Sequence, residues 1–204
     1  MSRHLITQSA AGCFPRSARV LELGSGIGVV AVACLHLGWH VVATDKPEVV
    51  ELLQRNSQQA ARAIAEEQGH ETDGSIQVLP YTWGDDCSEL IEAGEPQGTK
   101  EAGVKEGGYD IVVCADCLYA QASVKPLLAA LLALCERNRS AVVLIANELR
   151  SALDSFLQKA RDYFDIEHIR LSEAQMHLTA ASSEVEAAPK PIGMRRLTFK
   201  RANA

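Results

Sequence analysis

Two short motifs carry side chains that could do chemistry. Asp116 and Tyr119, in the string Asp-Cys-Leu-Tyr, place a carboxylate and a phenol three residues apart, and Trp83 is followed directly by Gly84. A carboxylate can attract and orient a cation, and a phenol can accept or relay a hydrogen bond. The indole of Trp83 offers a flat face for a purine, and Gly84 allows close backbone approach. We therefore expect a cation near Asp116 and Tyr119 and a purine near Trp83.

Both motifs also have structural interpretations. Asp116 could cap the next helix while Tyr119 packs beneath it, and Trp83 could be a core residue under a loop. However, the apolar residues 76–80 and 111–114 are typical of buried strands, and one motif follows each of them closely. The carboxyl ends of parallel strands meet at one edge of a sheet, where ligands bind. This placement favours the functional interpretation of Asp116 and Tyr119, whereas both interpretations of Trp83 stay open at this point.

A glycine-rich turn, in VLELGSGIGVV from Val20 to Val30, is the third chemical feature. The apolar residues before it predict a short buried strand, and its glycines let the backbone turn where side chains would block a ligand. The next apolar run ends at Gly38, as a buried helix does, and residues 41–43 form a second strand that leads to Asp45. Such a β-loop-α-β unit places the turn beside Asp45, where ribose-bearing ligands sit. It predicts a nucleoside-type cofactor.

The spacing of the glycines indicates which cofactor. A dinucleotide fingerprint requires G-x-G-x-x-G, but Gly24 and Gly26 are followed by Gly28, and Val29 occupies the third required position. Glu22 precedes the first glycine, and its negative charge would repel a diphosphate and attract a cation or an amino group. S-adenosylmethionine (AdoMet), a sulfonium that also carries an ammonium group, fits this arrangement.

The string from Glu22 to Gly28 resembles that of the class I, seven-strand AdoMet-dependent methyltransferases. Trp-Gly-Asp after the third strand and Asp-x-x-Tyr after the fourth look like the protein-lysine methyltransferase branch called methyltransferase family 16, over residues 20–150. The resemblance implies that Asp116 and Tyr119 are catalytic residues at the acceptor site and that no metal is needed. Besides Glu22, it implies cofactor contacts from Gly24, Ser25, Gly26, Asp45, Trp83 and Ala115.

The expected fold class is α/β: a Rossmann-like, doubly wound seven-stranded sheet, mostly parallel, with helices on both faces. The resemblance implies that the last strand lies antiparallel between the fifth and sixth. We expect one domain over residues 1–204, with a short, weakly patterned segment 1–18 and a flexible insertion over about residues 88–108. Hydrophobic periodicity predicts further strands over 141–146, 166–171 and 194–200, and helices over 47–68, 124–134 and 153–164.

Composition narrows the class of protein. The chain has 204 residues, 47% of them hydrophobic, which is enough for a full core. A net charge of −6 argues against a nucleic-acid-binding body, and no apolar run approaches the roughly 18 residues of a membrane span.

Cys114 and Cys117 form a C-x-x-C, but no second pair stands nearby at zinc-ligand spacing, so we expect free thiols. We expect a monomer in the cytoplasm, with the nucleus as the alternative.

Three functional hypotheses remain open. The first is methyl transfer from AdoMet to a lysine side chain of a protein substrate. The second is a small-molecule N- or O-methyltransferase, which predicts a deep, closed acceptor pocket. The third is a non-catalytic, methyltransferase-like binding module. It is suggested by the short front end, where no Trp precedes the glycine turn, whereas the resembled enzymes usually carry helices and a cofactor-covering aromatic residue there. A front end without these features is typical of a shortened chain. The third hypothesis predicts that the protein does not bind AdoMet.

Overall fold

Short apolar segments pair into one central sheet. The structure, a computed structural model, describes residues 1–70, 72–95, 108–170 and 192–200. Within these residues the sheet has seven strands: β1 (Arg19–Leu23), β2 (His40–Asp45), β3 (Ser75–Pro80), β4 (Ile111–Ala115), β5 (Val142–Glu148), β6 (Phe164–Ile169) and β7 (Ile192–Phe199). Their order is β3-β2-β1-β4-β5-β7-β6, with β7 antiparallel to both of its neighbours and the other pairs parallel. The predicted sheet, with its antiparallel last strand between the fifth and sixth, is confirmed.

The strand order reverses between β1 and β4, and this reversal positions the site. β1 pairs with β2 on one side and with β4 on the other, so that Leu23 lies opposite both Thr44 and Cys114. The helix that follows β1 packs on one face of the sheet, and the helix that follows β4 packs on the other. A crevice opens at the carboxyl edge wherever neighbouring connections diverge in this way. The glycine turn after Leu23 therefore lies next to the loop that begins at Asp116.

Two layers of helices cover the sheet. One layer contains α1 (Ser2–Ala10), α2 (Val29–His36) and α3 (Pro47–Gln68), and the other contains α4 (Ser88–Ala93), α5 (Val124–Arg137) and α6 (Ser151–Ala160). Side chains alternate along β1, so Val20 packs with the first layer while Leu21 and Leu23 pack with the second. Among the described residues, no helix has both the length and the apolar content that a bilayer crossing would require.

The chain begins with a helix, where the sequence predicted only a weakly patterned segment over residues 1–18. Leu5 is completely buried in the same apolar cluster as Val30 and Cys34 of α2, while Ile6 is exposed. No side chain caps the start of α1. Because short helices are marginal by themselves, α1 depends on packing against α2, a contact that local sequence does not reveal.

Part of the predicted flexible insertion, residues 88–108, is also helical. Ser88–Ala93 form α4, with Leu90 buried against the core. The hydroxyl of Tyr109 donates a hydrogen bond to the Leu90 carbonyl oxygen at 2.6 Å and ties the helix to the start of β4. Residues 96–107 of the predicted insertion lie outside the described residues.

The boundary between the last helix and β6 differs from the prediction. Apolar spacing predicts a helix that includes Phe164, but α6 ends at Ala160 and Phe164 is the first residue of β6. Phe164 pairs with Phe199 of β7, and the two rings meet edge to face with centroids 5.3 Å apart. Ala160 and Phe164 face the same core, so helical spacing continues past the end of the helix.

Candidate active site

The glycine turn has a backbone conformation that only glycine adopts readily. Gly24, Gly26 and Gly28 have φ angles of 74°, 56° and 90°. The N–H groups of Gly24 and Ser25 donate to the carbonyl oxygen of Thr44, at 3.0 and 2.8 Å. The Thr44 hydroxyl in turn donates to the Glu22 carbonyl oxygen at 2.8 Å. These bonds tie the turn to the end of β2 and fix its shape without a ligand.

Gly24 lies where two other parts of the site converge. A Cβ atom at this position would lie 3.0 Å from Cζ2 of Trp83 and 3.2 Å from Sγ of Cys117. The Trp83 ring is partly buried, packs against the core on one side and borders an open cavity on the other. Trp83 is therefore a packing residue, as one of its two sequence interpretations holds, and its free surface borders the cavity; its contact with a purine stays a prediction.

Asp45 is held in place by the backbone on both of its oxygens. Oδ2 accepts a hydrogen bond from the Gly26 N–H at 2.7 Å, and Oδ1 accepts one from the Lys46 N–H at 2.8 Å. Each carboxylate oxygen has a second lone pair, so both can accept a further bond from a ligand hydroxyl. The carboxylate thus faces the cavity in a fixed orientation, as the β-loop-α-β unit predicts.

Glu22 lies beneath the turn rather than on the cavity wall. Its side chain is on the face of β1 that carries Val20, it is 1% exposed, and its Oε2 atom has no hydrogen-bond partner. Burial raises the pKa of the Glu22 carboxyl from 4.5 to about 7, although hydrogen bonds from the Ser25 side chain and the Ala31 backbone oppose the shift. A buried carboxylate with an unpaired oxygen is costly, so a nearby cation would stabilise it.

The loop after β4 presents the two predicted catalytic side chains. Asp116 has a left-handed φ of 55°, and its N–H donates to the Ala146 carbonyl oxygen at 2.7 Å. The next helical turn begins after Ala120, without a side-chain cap, and Tyr119 is 53% exposed. The alternative in which Asp116 caps that turn while Tyr119 packs beneath it is therefore wrong.

A positive charge lies close to Asp116. Arg150 donates from Nε to Oε2 of Glu148 at 2.9 Å. That hydrogen bond raises the pKa of Arg150, and the negative charge of Asp116 adds to the effect. The Asp116 carboxylate therefore lies near enough to Arg150 to attract it.

One cavity of about 370 Å³ brings most of the predicted residues together. Gly24, Asp45, Trp83, Asp116 and Tyr119 all line it, whereas Glu22, Ser25, Gly26 and Ala115 do not. Its volume is in the range typical of small-molecule sites. The sequence reasoning did not assign the remaining lining residues, which are Lys46, Tyr81, Thr82, Cys117, Ala120, Ala122, Ser123 and Pro126. Four of these residues, Lys46, Tyr81, Cys117 and Ala120, directly follow a strand end or a predicted site residue, and this position in the sequence was the signal that could have found them.

The C-x-x-C pair serves packing in this structure. Cys114 and Cys117 are buried free thiols, and the Cys117 S–H donates to the Leu23 carbonyl oxygen at 2.9 Å. A hydrogen bond with Cys114, together with burial, raises the pKa of the Cys117 thiol well above its usual value. Among the described residues, His, Cys, Asp and Glu side chains form no cluster that could hold a metal ion.

Comparisons with known proteins agree with this geometry. A family model described as lysine methyltransferase matches residues 4–163. Protein N-lysine methyltransferase METTL21A of Danio rerio is 29% identical over 165 residues, which cover 80% of this chain and 65% of that protein. Protein-lysine N-methyltransferase EFM6 of Saccharomyces cerevisiae is 28% identical over 171 residues, covering 80% of this chain and 63% of that protein. The chain thus spans less than two thirds of the length of each relative.

The fold itself has solved counterparts. The glycopeptide N-methyltransferase MtfA, in complex with S-adenosyl-L-homocysteine, superimposes with a TM-score of 0.63. The match covers 98% of this chain and 88% of MtfA at 12% identity, so it concerns the fold alone.

Proposed function

Since the chain belongs to the lysine methyltransferase family, we propose that it transfers a methyl group from AdoMet to a lysine side chain of a protein substrate. The family membership confirms the resemblance drawn from the glycine turn and the two polar motifs. The observation that carries the proposal is that one cavity joins the glycine turn and Asp45 to Asp116 and Tyr119. A cofactor half and an acceptor half thus meet at one edge of the sheet.

The residues of the cofactor half fit AdoMet. The free lone pairs of Asp45 suit the two ribose hydroxyls, and the Trp83 surface suits the adenine ring. The unpaired, buried oxygen of Glu22 lies beneath the glycine turn, where a positively charged amino-acid end would stabilise it. When bound, AdoMet supplies a methyl group already activated by the sulfonium, so the protein contributes mainly alignment and exclusion of water.

The acceptor half must take a lysine and make it neutral. Deprotonating a lysine with a reference pKa near 10.4 at pH 7 costs about 4 to 5 kcal/mol of free energy. Asp116, at the exposed rim, attracts the incoming ammonium group, and transfer into the partly enclosed cavity lowers the amine pKa because burial disfavours the charged form. The Tyr119 hydroxyl can accept a hydrogen bond from the amine and hold its nitrogen in line.

The exposure of the acceptor residues favours a protein substrate over a small molecule. Asp116 and Tyr119 both lie at the solvent-facing side of the cavity, whereas a small-molecule enzyme is expected to enclose its acceptor. A long lysine side chain projecting from a protein surface can reach such a rim. The names of the two relatives, both protein-lysine methyltransferases, support the same substrate class.

Labelling with tritiated AdoMet tests the proposal. The protein is incubated with a total protein extract from cells that lack it, with the same extract after its lysines have been blocked by acetylation, and with a small-molecule filtrate. We expect label in protein bands of the untreated extract only, at residues that mass spectrometry identifies as methylated lysine. Label in the filtrate would favour a small-molecule enzyme. Absence of transfer together with absence of AdoMet binding by calorimetry would favour a non-catalytic module.

Matched variants link the labelling to the site. Asp116→Asn and Tyr119→Phe should each reduce the rate of label transfer by at least about tenfold, as the loss of a positioned catalytic group does. Asp162→Asn and Tyr163→Phe make the same chemical changes at exposed positions before β6, outside the residues that line the cavity. These controls should keep the wild-type rate.

A further inference from the structure

Asn147 is a buried amide just behind the acceptor loop. It lies near the carboxyl end of β5, is 1% exposed and does not line the cavity. A buried side-chain amide is costly unless its donors and acceptor are paired. Its hydrogen-bond partners therefore show which part of the protein it stabilises.

All three bonds of this amide go to backbone atoms at the end of the sheet. Oδ1 accepts from the Leu118 N–H at 2.8 Å, and Nδ2 donates to the Leu118 carbonyl oxygen at 3.3 Å. The second hydrogen of Nδ2 points to the Glu148 carbonyl oxygen at 3.1 Å. Asn147 thus binds the N–H and the C=O of one residue together, as a neighbouring strand would.

The amide continues a pairing that the backbone cannot continue. The β4–β5 ladder ends with Ala115 opposite Ala146, followed by the bond from the Asp116 N–H to Ala146. At Asp116 the chain turns into the left-handed region and leaves the sheet. Leu118 would then have lost its backbone partner, and the Asn147 side chain supplies one from the same strand.

We infer that Asn147 is a positioning residue for methyl transfer, which holds the loop so that Asp116 and Tyr119 face the acceptor. This inference rests on the proposed function. Leu118 lies between the two catalytic side chains in sequence and is completely buried, so the pairing with Asn147 fixes the middle of the loop. Asp116 and Tyr119 are themselves exposed, so neither side chain is held by burial in the core.

Two substitutions test the role. Asn147→Ala removes both bonds to Leu118, and Asn147→Asp keeps an acceptor for the Leu118 N–H but sets a carboxylate oxygen against two carbonyl oxygens. We expect the initial rate of tritium transfer from saturating AdoMet to the protein extract to fall by about 10- to 100-fold in both, because small misplacements of reacting groups have effects of this size. Affinity for S-adenosylhomocysteine, measured by calorimetry, should stay within about threefold of wild type, or about 0.7 kcal/mol, because Asn147 does not line the cavity.

Asn138 provides the matched control. It is also a buried asparagine, and it donates from Nδ2 to the Tyr109 carbonyl oxygen at 2.8 Å and accepts from the Ser140 N–H at 3.1 Å. It lies before β5, whereas the site is at the carboxyl edge. Asn138→Asp should lower the melting temperature but leave the transfer rate at the wild-type value. A similar loss of rate in Asn138→Asp would show that the Asn147 effect is general destabilisation and would overturn the inference.

Amide hydrogen exchange measures the pairing without reference to activity. Peptides that contain residues 117–119 should exchange at least about tenfold faster in Asn147→Ala than in wild type, while peptides that contain the glycine turn should not change. Unchanged exchange at 117–119 would overturn the inference even if the rate fell. If the wild-type protein transfers no label to any extract, the proposed function fails, and the exchange result still decides whether Asn147 holds the loop. Asn147→Ser is used in the same way if either variant does not fold.

Discussion

Substitution of Gly24 by alanine should separate the cost of backbone strain from the cost of a blocked cofactor site. Gly24 has a φ of 74°, and a left-handed conformation costs an alanine about 1 to 2 kcal/mol. The new Cβ would also lie 3.0 Å from Trp83 Cζ2 and 3.2 Å from Cys117 Sγ, so both neighbours would have to shift by a few tenths of an ångström. We therefore expect loss of stability and, in addition, displacement of the Trp83 surface.

Gly38 allows the two effects to be measured apart. Its φ is 77°, but a Cβ at this position would meet nothing within 4 Å. Gly38→Ala should thus lose about 1 to 2 kcal/mol of unfolding free energy in urea titrations, which is the conformational part of the loss in Gly24→Ala, without a change in ligand affinity. Gly24→Ala should also bind S-adenosylhomocysteine at least about tenfold more weakly, which corresponds to 1.4 kcal/mol.

The comparison can refute the reasoning in two ways. Wild-type affinity for S-adenosylhomocysteine in Gly24→Ala would show that Gly24 and its two neighbours do not border the cofactor. Equal loss of affinity in Gly38→Ala would show that general destabilisation, rather than the contacts around Gly24, controls binding. Isothermal titration calorimetry well below both melting temperatures measures the difference directly.

Two further predictions concern the carboxylates. Asp45→Asn places an NH2 group against one of the two backbone N–H donors that the carboxylate now accepts from. It should weaken AdoMet binding at least about tenfold, measured by calorimetry, and cost about 1 to 3 kcal/mol of stability, measured by urea titration. Unchanged affinity would contradict the role of Asp45. Glu22 has a folded-state pKa raised from 4.5 to about 7, so the native state binds the extra proton and stability should fall as pH rises through this window. Glu22→Gln should remove that fall in ligand-free protein, and a pH profile of stability identical to wild type would show that Glu22 titrates normally.

The cofactor half of the site could be predicted from sequence because its residues are close together in the chain. The glycine turn and Asp45 belong to one β-loop-α-β unit, and strand direction alone places them at one edge. The placement of Asp116 and Tyr119 at the same edge could be predicted because they follow a recognisable buried strand. The alternation along β1 also carried a signal that was not used: Glu22 alternates with Leu21 and Leu23, so it had to lie on the opposite face, behind the cavity wall.

The features that sequence did not reveal depend on distant contacts. The bond from the Cys117 thiol to the Leu23 carbonyl joins residues 94 positions apart, and those from Asn147 to Leu118 span 29 positions. The helix α1 exists because Leu5 fits against α2, and Phe164 joins the sheet because Phe199 lies opposite. The cytoplasmic location and the monomeric state stay predictions.

The central claim is that one cavity holds AdoMet and presents the acceptor to Asp116 and Tyr119. The most direct test measures S-adenosylhomocysteine affinity and methyl transfer side by side in wild type and in the double variant Asp116→Asn, Tyr119→Phe. The account predicts loss of transfer to lysines of the protein extract. It also predicts affinity within about threefold of wild type, or about 0.7 kcal/mol, because both residues belong to the acceptor half of the cavity. Transfer at the wild-type rate in the double variant would contradict it.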